Sequence, residues 1–390
     1  MKYKIAMIST AHQWNDVRIF EKEASTLAQA GYDVVIIARG DKLRPVNNIH
    51  VKLLPAQENR FKRMILNGFR AFQYALRERA DVYHFHDPEF IPWGLLLRAV
   101  TRSLVVFDIH ENVRGQILSK EWIPKWARRA VSTFYGLVET ITVPFFSGLV
   151  LARPDLLEVP LYTRNKNAVL IRNLPRKQLY KPIEPSPSET ESIKHSRRFV
   201  YLGAISRIRG IFQLLEACKI LRAEGETNFE LLLIGPFQPP SLGDEVLKYI
   251  ADNSLGSIVT ARGPMPYREA LSELHASVAG LVTFLPAPNH ESSEPTKFFE
   301  YMMAGVPVVA SHFPSWRKLL AEEQCGISVD PLDPRDIARG MKWVLENPEE
   351  ARAMGLRGKL AVETRLNWEA QETILLSFYR NLIDKRYGRP

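Results

Sequence analysis

The run Glu294-Pro-Thr-Lys-Phe-Phe-Glu300-Tyr-Met-Met-Ala-Gly305-Val-Pro307 holds a dense grouping of side chains suited to chemistry. Its pattern predicts a helix over Thr296–Ala304, with Pro295 in the first turn, where a missing N–H costs nothing. A helix N-terminus offers free amides and the positive end of a dipole to a phosphate. Lys297 adds a positive charge one turn in. Glu300 lies three residues after Lys297 and four after Thr296, so the three share a face. A carboxylate there can accept from both hydroxyls of a ribose. A capped helix with an incidental surface Glu–Lys pair has the same spacing, and spacing alone does not choose between them.

Three further groupings sit where loops are expected. Gly203-Ala-Ile-Ser206-Arg207-Ile-Arg209-Gly210 follows an apolar run. Two arginines on a Gly-bounded strand-to-helix loop can clamp a diphosphate through forked, charge-assisted bonds. Solvated arginines at a helix start give the same letters, and the loop is neither a Walker loop nor G-x-G-x-x-G. In Phe107-Asp108-Ile-His110-Glu111, His110 stands at a strand's carboxyl end, placed to contact a ligand. His84-Phe-His86-Asp87-Pro88-Glu89 is placed alike; Asp87 also reads as a helix cap ahead of Pro88, and a zinc reading lacks a fourth ligand. The first loop, Ser9 to Arg18, gathers His12, Asp16 and Arg18 where the edge of a cleft is expected, with Asp16 serving equally as a plain N-cap.

The elements that must position these residues alternate from the first residue. Lys4–Ser9, Asp33–Ala38, His50–Leu54, Val82–Phe85, Leu104–Asp108, Gly148–Leu151 and Ala168–Ile171 read as strands, with helical stretches between most of them. Val17–Ala30 has helical spacing, with Phe20, Ala24, Leu27 and Ala28 on one face and Gly31 as a stop. Pro175 to Arg198 has no apolar period and reads as a linker. Strands resume at Phe199–Gly203, Phe229–Ile234, Ser257–Thr260, Val278–Phe284, Val306–Ala310 and Gly326–Val329. The tail is helical, with Trp368, Ile374, Leu375, Phe378 and Leu382 on one face. Such alternation predicts an α/β protein with two doubly wound parallel sheets. The expected domains are 1–178 and 198–366, joined by 179–197, with 367–390 a helix that crosses back. Ligands bind beyond the carboxyl ends of strands in such sheets, so two facing domains would form a cleft.

The 390 residues suit two domains, and two cysteines suit a reducing compartment. No signal peptide and no membrane span is expected, which points to the cytoplasm. Residues 1–178 hold 27 Lys+Arg and 16 Asp+Glu, a net of +11, while the remainder nets −2. That asymmetry suggests a polyanionic partner or a solvated basic surface. Two basic amphipathic stretches bear on the choice. Asn59–Arg79 puts Phe61, Ile65, Phe69, Phe72 and Leu76 on one face and reads as a sheet-covering helix. Lys120–Thr140 sets Trp122, Trp126, Phe134 and Leu137 beside Lys125, Arg128 and Arg129, and is the better candidate for an anionic membrane surface. No nucleic-acid module is recognisable.

The whole chain resembles glycosyltransferase family 4, retaining enzymes of the GT-B fold, of a bacterial surface-polysaccharide type. The match is strongest over Pro295–Ser311, the second half of the family's E-x7-E region, and extends to Tyr201-Leu-Gly203, Arg209-Gly210, Arg262-Gly-Pro and Trp368…Tyr379. In the first half it rests on Asp16-Val-Arg18-Ile-Phe, His86-Asp-Pro-Glu89, Asp108-Ile-His-Glu111 and Asn173-Leu-Pro175. The resemblance implies a metal-independent hexosyl- or related glycosyltransferase. It would move sugar from a nucleoside-diphosphate sugar to a lipid-linked or saccharide acceptor, with no cofactor. It makes Glu300 the ribose ligand, and Arg209, Arg207, Lys297 and Thr296 the contacts of diphosphate or sugar. His110 becomes the catalytic contact near the reacting carbon, and His12, Asp16, Arg18 and His86 line the acceptor side. Ser292 stands where the family's first Glu is expected, with Glu294 close by. Two alternatives stand beside the transferase reading: a nucleotide-sugar epimerase-like enzyme of the same fold, or, given Ser292, a catalytically degraded partner subunit.

Overall fold

The computed structural model describes residues 2–40, 49–57, 59–120, 123–177, 196–288 and 290–388. They divide into Met1–Asn173 with Trp368–Pro390, and Leu174–Asn367. The first unit thus ends at Asn173 rather than at 178. The expected linker lies outside the described residues except for Ser196 and Arg197.

In the first unit, β1 (Lys4–Gln13), β2 (Asp33–Arg39), β3 (Ile49–Leu54), β4 (Val82–Phe85), β5 (Leu104–Ile109), β6 (Gly148–Leu151) and β7 (Ala168–Leu170) form one parallel sheet. Its order is β3-β2-β1-β4-β5-β6-β7. β4, β5 and β6 are buried along their whole lengths, as strands covered on both faces must be. Helices Gly68–Glu78 and Ile91–Thr101 pack on one face with Phe85, Phe107 and Leu149. The tail helix Trp368–Tyr387 covers the other face with Ile19, Phe20 and Leu27. It is tied down by Trp368 Nε1, which donates to Thr26 Oγ1 at 3.0 Å. Of the face read for this helix, Ile374 is exposed and Tyr379 is buried in its stead.

Two other departures matter for the site. β1 runs to Gln13 rather than Ser9, so His12 stands on the strand's end instead of in a free loop. The stretch read as one regular helix winds as a π-helix over Val17–Ala24 before Ser25–Gln29 continues as α-helix. The wider turn brings Arg18, Lys22 and Glu23 inward alongside Ile19 and Phe20.

In the second unit, β8 (Arg198–Leu202), β9 (Glu230–Ile234), β10 (Val259–Gly263), β11 (Ala279–Val282), β12 (Val308–Ser311) and β13 (Gly326–Val329) form a parallel sheet ordered β10-β9-β8-β11-β12-β13. β11 is shorter than expected, which leaves Thr283 and Phe284 beyond its end. Strand order reverses between β1 and β4 in one sheet and between β8 and β11 in the other. The carboxyl ends at those reversals are where ligands bind in such sheets.

Candidate functional site

Beyond β8 and β11, the helix Thr296–Met303 starts after Pro295, which caps it with its backbone rather than lying inside the first turn. Phe298, Phe299, Tyr301 and Met302 are buried and fix the helix against the sheet, and Tyr301 Oη accepts from the Leu202 amide at 2.9 Å. With those neighbours inside, Lys297 is carried inside as well. Its Nζ stands 3.7 Å from the Tyr201 ring centre and 5.2 Å from that of Phe284. The Arg209 guanidinium stands 5.1 Å from the same Phe284 ring, and its Nη1 donates to Ala204 O at 3.1 Å.

Lys297 Nζ has no hydrogen-bond acceptor among the described residues. Ring faces attract a cation, but they replace lost water only in part. Burial therefore holds the ammonium well below its usual range, and the Arg209 charge adds to this while Glu300 opposes it. Two cations on one ring beside a helix N-terminus make a place for a multiply charged anion. The loop that carries Arg209 fits against β11's end because Gly210 is glycine. At φ +80° a Cβ there would lie 1.9 Å from Thr283 O.

The other candidates of this unit are placed differently. Arg207 is exposed, ion-paired to Glu245 and laid over the Phe212 ring at 4.7 Å, so it does not join Arg209 at Phe284. Thr296 is exposed and Glu300 half-buried. The reading of Lys297 as part of a surface Glu–Lys pair is corrected by its burial. Ser292 and Glu294 are half-buried in the loop before the helix. That loop is pinned where Trp316 Nε1 donates to Ser293 O at 2.6 Å. Phe284, read only as the end of a strand, is the ring both cations flank.

In the first unit, π-winding sets Arg18 against Asp108 of β5. Arg18 donates from Nε and Nη2 to that carboxylate at 3.0–3.2 Å, and from Nη1 to Ile171 O at 3.0 Å. Arg18 is thus a buried tie and not an open acceptor-side cation. Asp16 caps the helix, accepting from the Arg18 and Ile19 amides. Asp108 Oδ2 lies 3.2 Å from His110 Nε2 and 3.4 Å from His86 Nδ1. His86 is buried behind His110, which stays partly open. Glu23, which sequence reasoning missed, is fully buried, with Oε1 3.0 Å from Arg18 Nε. Five residues after Arg18, it falls on a different side of a regular helix, so spacing does not show the two as a cluster.

The two buried acids separate. Burial and the Asp108 charge push Glu23 well above the carboxylate range, against Arg18. Burial also works against ionised Asp108, but Arg18 and the histidine contacts outweigh it and hold that carboxyl well below. Burial keeps His84 and His86 low. The ligand atoms of Glu23, His84, His86 and Asp108 lie within 4.8 Å of one another. Arg18 enters the same cluster, with Nε 3.0 Å from Glu23 Oε1 and Nη2 3.0 Å from Asp108 Oδ2, so its guanidinium supplies positive charge beside both acids. His84 Nδ1 lies 2.6 Å from Tyr379 Oη.

Asp87 caps the next helix with its backbone, its carbonyl accepting from the Phe90 amide at 2.9 Å, and not with its side chain, which does not join His84 and His86 in a zinc site either. Its carboxylate accepts from Ser9 Oγ at 2.7 Å, the Thr10 amide at 2.7 Å and the Ala11 amide at 3.0 Å. It also pairs with His12 Nδ1 at 3.0 Å. Burial opposes ionised Asp87, but the hydrogen bonds from His12 and Ser9 prevail and hold it below the usual range. The Asp87 bond raises His12 in turn.

Two family models match this chain. "Glycosyltransferase Family 4" matches residues 18–144, and "Glycosyl transferases group 1" matches residues 183–361. The chain belongs to glycosyltransferase family 4. The MMP alpha-(1->4)-mannosyltransferase of Mycolicibacterium hassiacum is 23% identical over 324 residues, 81% of this chain and 74% of that protein. Sucrose-phosphate synthase from Thermosynechococcus elongatus superposes with a TM-score of 0.80 at 20% identity, over 98% of this chain and 100% of that one. Anabaena HepE, solved in complex with UDP-glucose, superposes with a TM-score of 0.71 at 14% identity, over 97% and 99%. This glycosyltransferase is thus a GT-B protein with two Rossmann-like α/β units, and Arg209, Lys297 and Glu300 fall inside the second match.

Proposed function

We propose that this glycosyltransferase transfers a sugar from a nucleoside-diphosphate sugar to a lipid-linked or saccharide acceptor, with retention of anomeric configuration and without a metal. The observation that carries the reading is Lys297: a buried ammonium with no acceptor among the described residues, sharing the Phe284 ring with Arg209. A departing nucleoside diphosphate is an anion of the kind such a pair stabilises, and positioned cations in a dry site do so without a metal. Glu300 is assigned to the ribose hydroxyls, and the amide end of helix Thr296–Met303 to phosphate or sugar. His110, oriented by Asp108, is assigned to the transferred sugar. With no carboxylate nucleophile assigned, the leaving phosphate guides front-face attack. HepE, whose structure holds UDP-glucose, supports the donor class.

No helix among the described residues is long and apolar enough to cross a membrane. Attachment to the inner face of the cell membrane is assigned to Lys120–Thr140, of which residues 121 and 122 lie outside the described residues. The test of the reaction is a panel of nucleotide sugars incubated with acceptor in EDTA, with the product's anomeric configuration read by NMR. Retained product in EDTA is expected. Activity that vanishes in EDTA and returns with Mn²⁺ contradicts the metal-free reading, and inverted product contradicts retention.

A further inference from the structure

Three helices of the first unit, Gly68–Glu78, Ile91–Thr101 and Lys125–Thr142, lie on one face of its sheet. Sheet-covering helices ordinarily turn apolar residues in and polar ones out. The helix Lys125–Thr142 packs Tyr135 and Val138 inward, yet also turns Trp126, Phe134, Leu137 and Ile141 outward, with Trp126 86% and Phe134 67% exposed. These positions, with Ala130, are spaced by fours and threes, so the outward stripe runs the length of the helix. The turns that lead into Gly68–Glu78 do the same. Phe61 and Ile65, read from sequence as part of a buried face, are 64% and 65% exposed, whereas Ala71, Phe72 and Ala75 are buried in the core with Tyr74 and Leu76 packed against it. Between the two, Leu96 and Val100 face outward on Ile91–Thr101.

The charges on this layer have one sign. Residues 59–77 and 91–102 contain no acid. Across 123–145 the one acid, Glu139, is buried, with Oε1 accepting from Tyr162 Oη at 2.7 Å. Lys62, Lys125 and Arg129 are exposed. Two copies of the chain meeting through this face about a two-fold axis would set like charges together. An anionic bilayer supplies both what the aromatics need and what the basic residues need.

We infer that the outer side of this three-helix layer, and not the Lys125–Thr142 helix alone, is a lipid-docking face. It rests on the membrane attachment proposed above and extends it. Because the stripe spans the whole helix, the helix lies in the plane of the interface. The unit then meets the bilayer with the broad face of its helical layer, inserting Phe61 and Ile65 as a second aromatic-aliphatic anchor beside Trp126 and Phe134.

Sedimentation of the full chain with sucrose-loaded vesicles tests this, using phosphatidylcholine with phosphatidylglycerol, and phosphatidylcholine alone, at low and high salt. Wild type is expected to sediment with the anionic vesicles at low salt. Trp126→Glu with Phe134→Glu, and separately Phe61→Glu with Ile65→Glu, are each expected to weaken binding about tenfold or more. Both pairs should keep the wild-type melting temperature, since all four side chains are exposed. No binding by wild type at low salt overturns both the attachment and this face. Binding that falls with the Trp126 pair but not with the Phe61 pair overturns the three-helix face and leaves the attachment standing. Wild-type self-association in sedimentation velocity, abolished by the same substitutions, assigns the face to a second copy and overturns the inference. Donor binding plays no part in the assay, so these failures do not touch the transferase reading.

Discussion

A buried ammonium without a hydrogen-bond acceptor is a destabilising feature, and Lys297 is retained in the core of the second unit all the same. Replacing it by methionine, of similar length, removes an unmet polar group from an apolar place. Lys297→Met is therefore expected to raise stability by about 1–3 kcal/mol and to lose measurable affinity for nucleotide sugar. Chemical denaturation with and without donor checks both halves; a destabilised variant, or one that binds donor like wild type, contradicts the assignment. The pH dependence follows from the same side chain. Its folded pKa lies well below the ordinary lysine value of 10.5, so between the two values the unfolded chain holds the extra proton and stability rises with pH. Donor anions favour the charged form, so binding takes up a proton there and weakens as pH rises. His12 shows the companion case: partly open, paired to buried Asp87, and raised rather than lowered.

At the scale of elements, the π-helical stretch Val17–Ala24 decides what the first unit can offer. It drives Arg18 and Glu23 under β4 and β5, where Arg18 holds Asp108 and Asp108 reaches His110. Arg18→Met leaves Asp108 buried without its partner and is expected to destabilise this unit by about 3–5 kcal/mol. Urea unfolding followed by circular dichroism checks this, and a loss below about 1 kcal/mol would show that the tie is incidental. Strands were legible because those of a parallel sheet are apolar on both faces and bounded by turns, as at Val82–Phe85 and Gly148–Leu151. The buried charge cluster was not, because regular helical spacing sets Arg18 and Glu23 on different sides of the helix and only the π-winding brings them together. Phe61 and Ile65 were misread for the converse reason: periodicity shows that a helix has an apolar face, not what that face meets. On the donor side the identities of Lys297, Arg209 and Glu300 were legible from motif. What placed Lys297 inside was the burial of its helix neighbours, and what turned Arg207 aside was Glu245, contacts that spacing does not carry.

At the scale of the molecule, two sheets of one topology carry different chemistry at equivalent places. The second unit sets cations at the end of β8 and β11; the first sets histidines and carboxylates at the ends of β1, β4 and β5. Residues 1–178 carry a net charge of +11 against −2 for the remainder, and that half also bears the basic, apolar helical layer. Donor recognition and surface attachment are thus assigned to different units, and each can be lost without the other. The central claim is that the second unit grips a nucleoside-diphosphate sugar through Glu300, Lys297 and Arg209. Calorimetric titration of a panel of such donors into wild type and Glu300→Ala tests it most directly. Binding by wild type, weakened about tenfold or more in Glu300→Ala, is the predicted result. Unchanged affinity in the variant, or no binding of any donor to wild type, would contradict it.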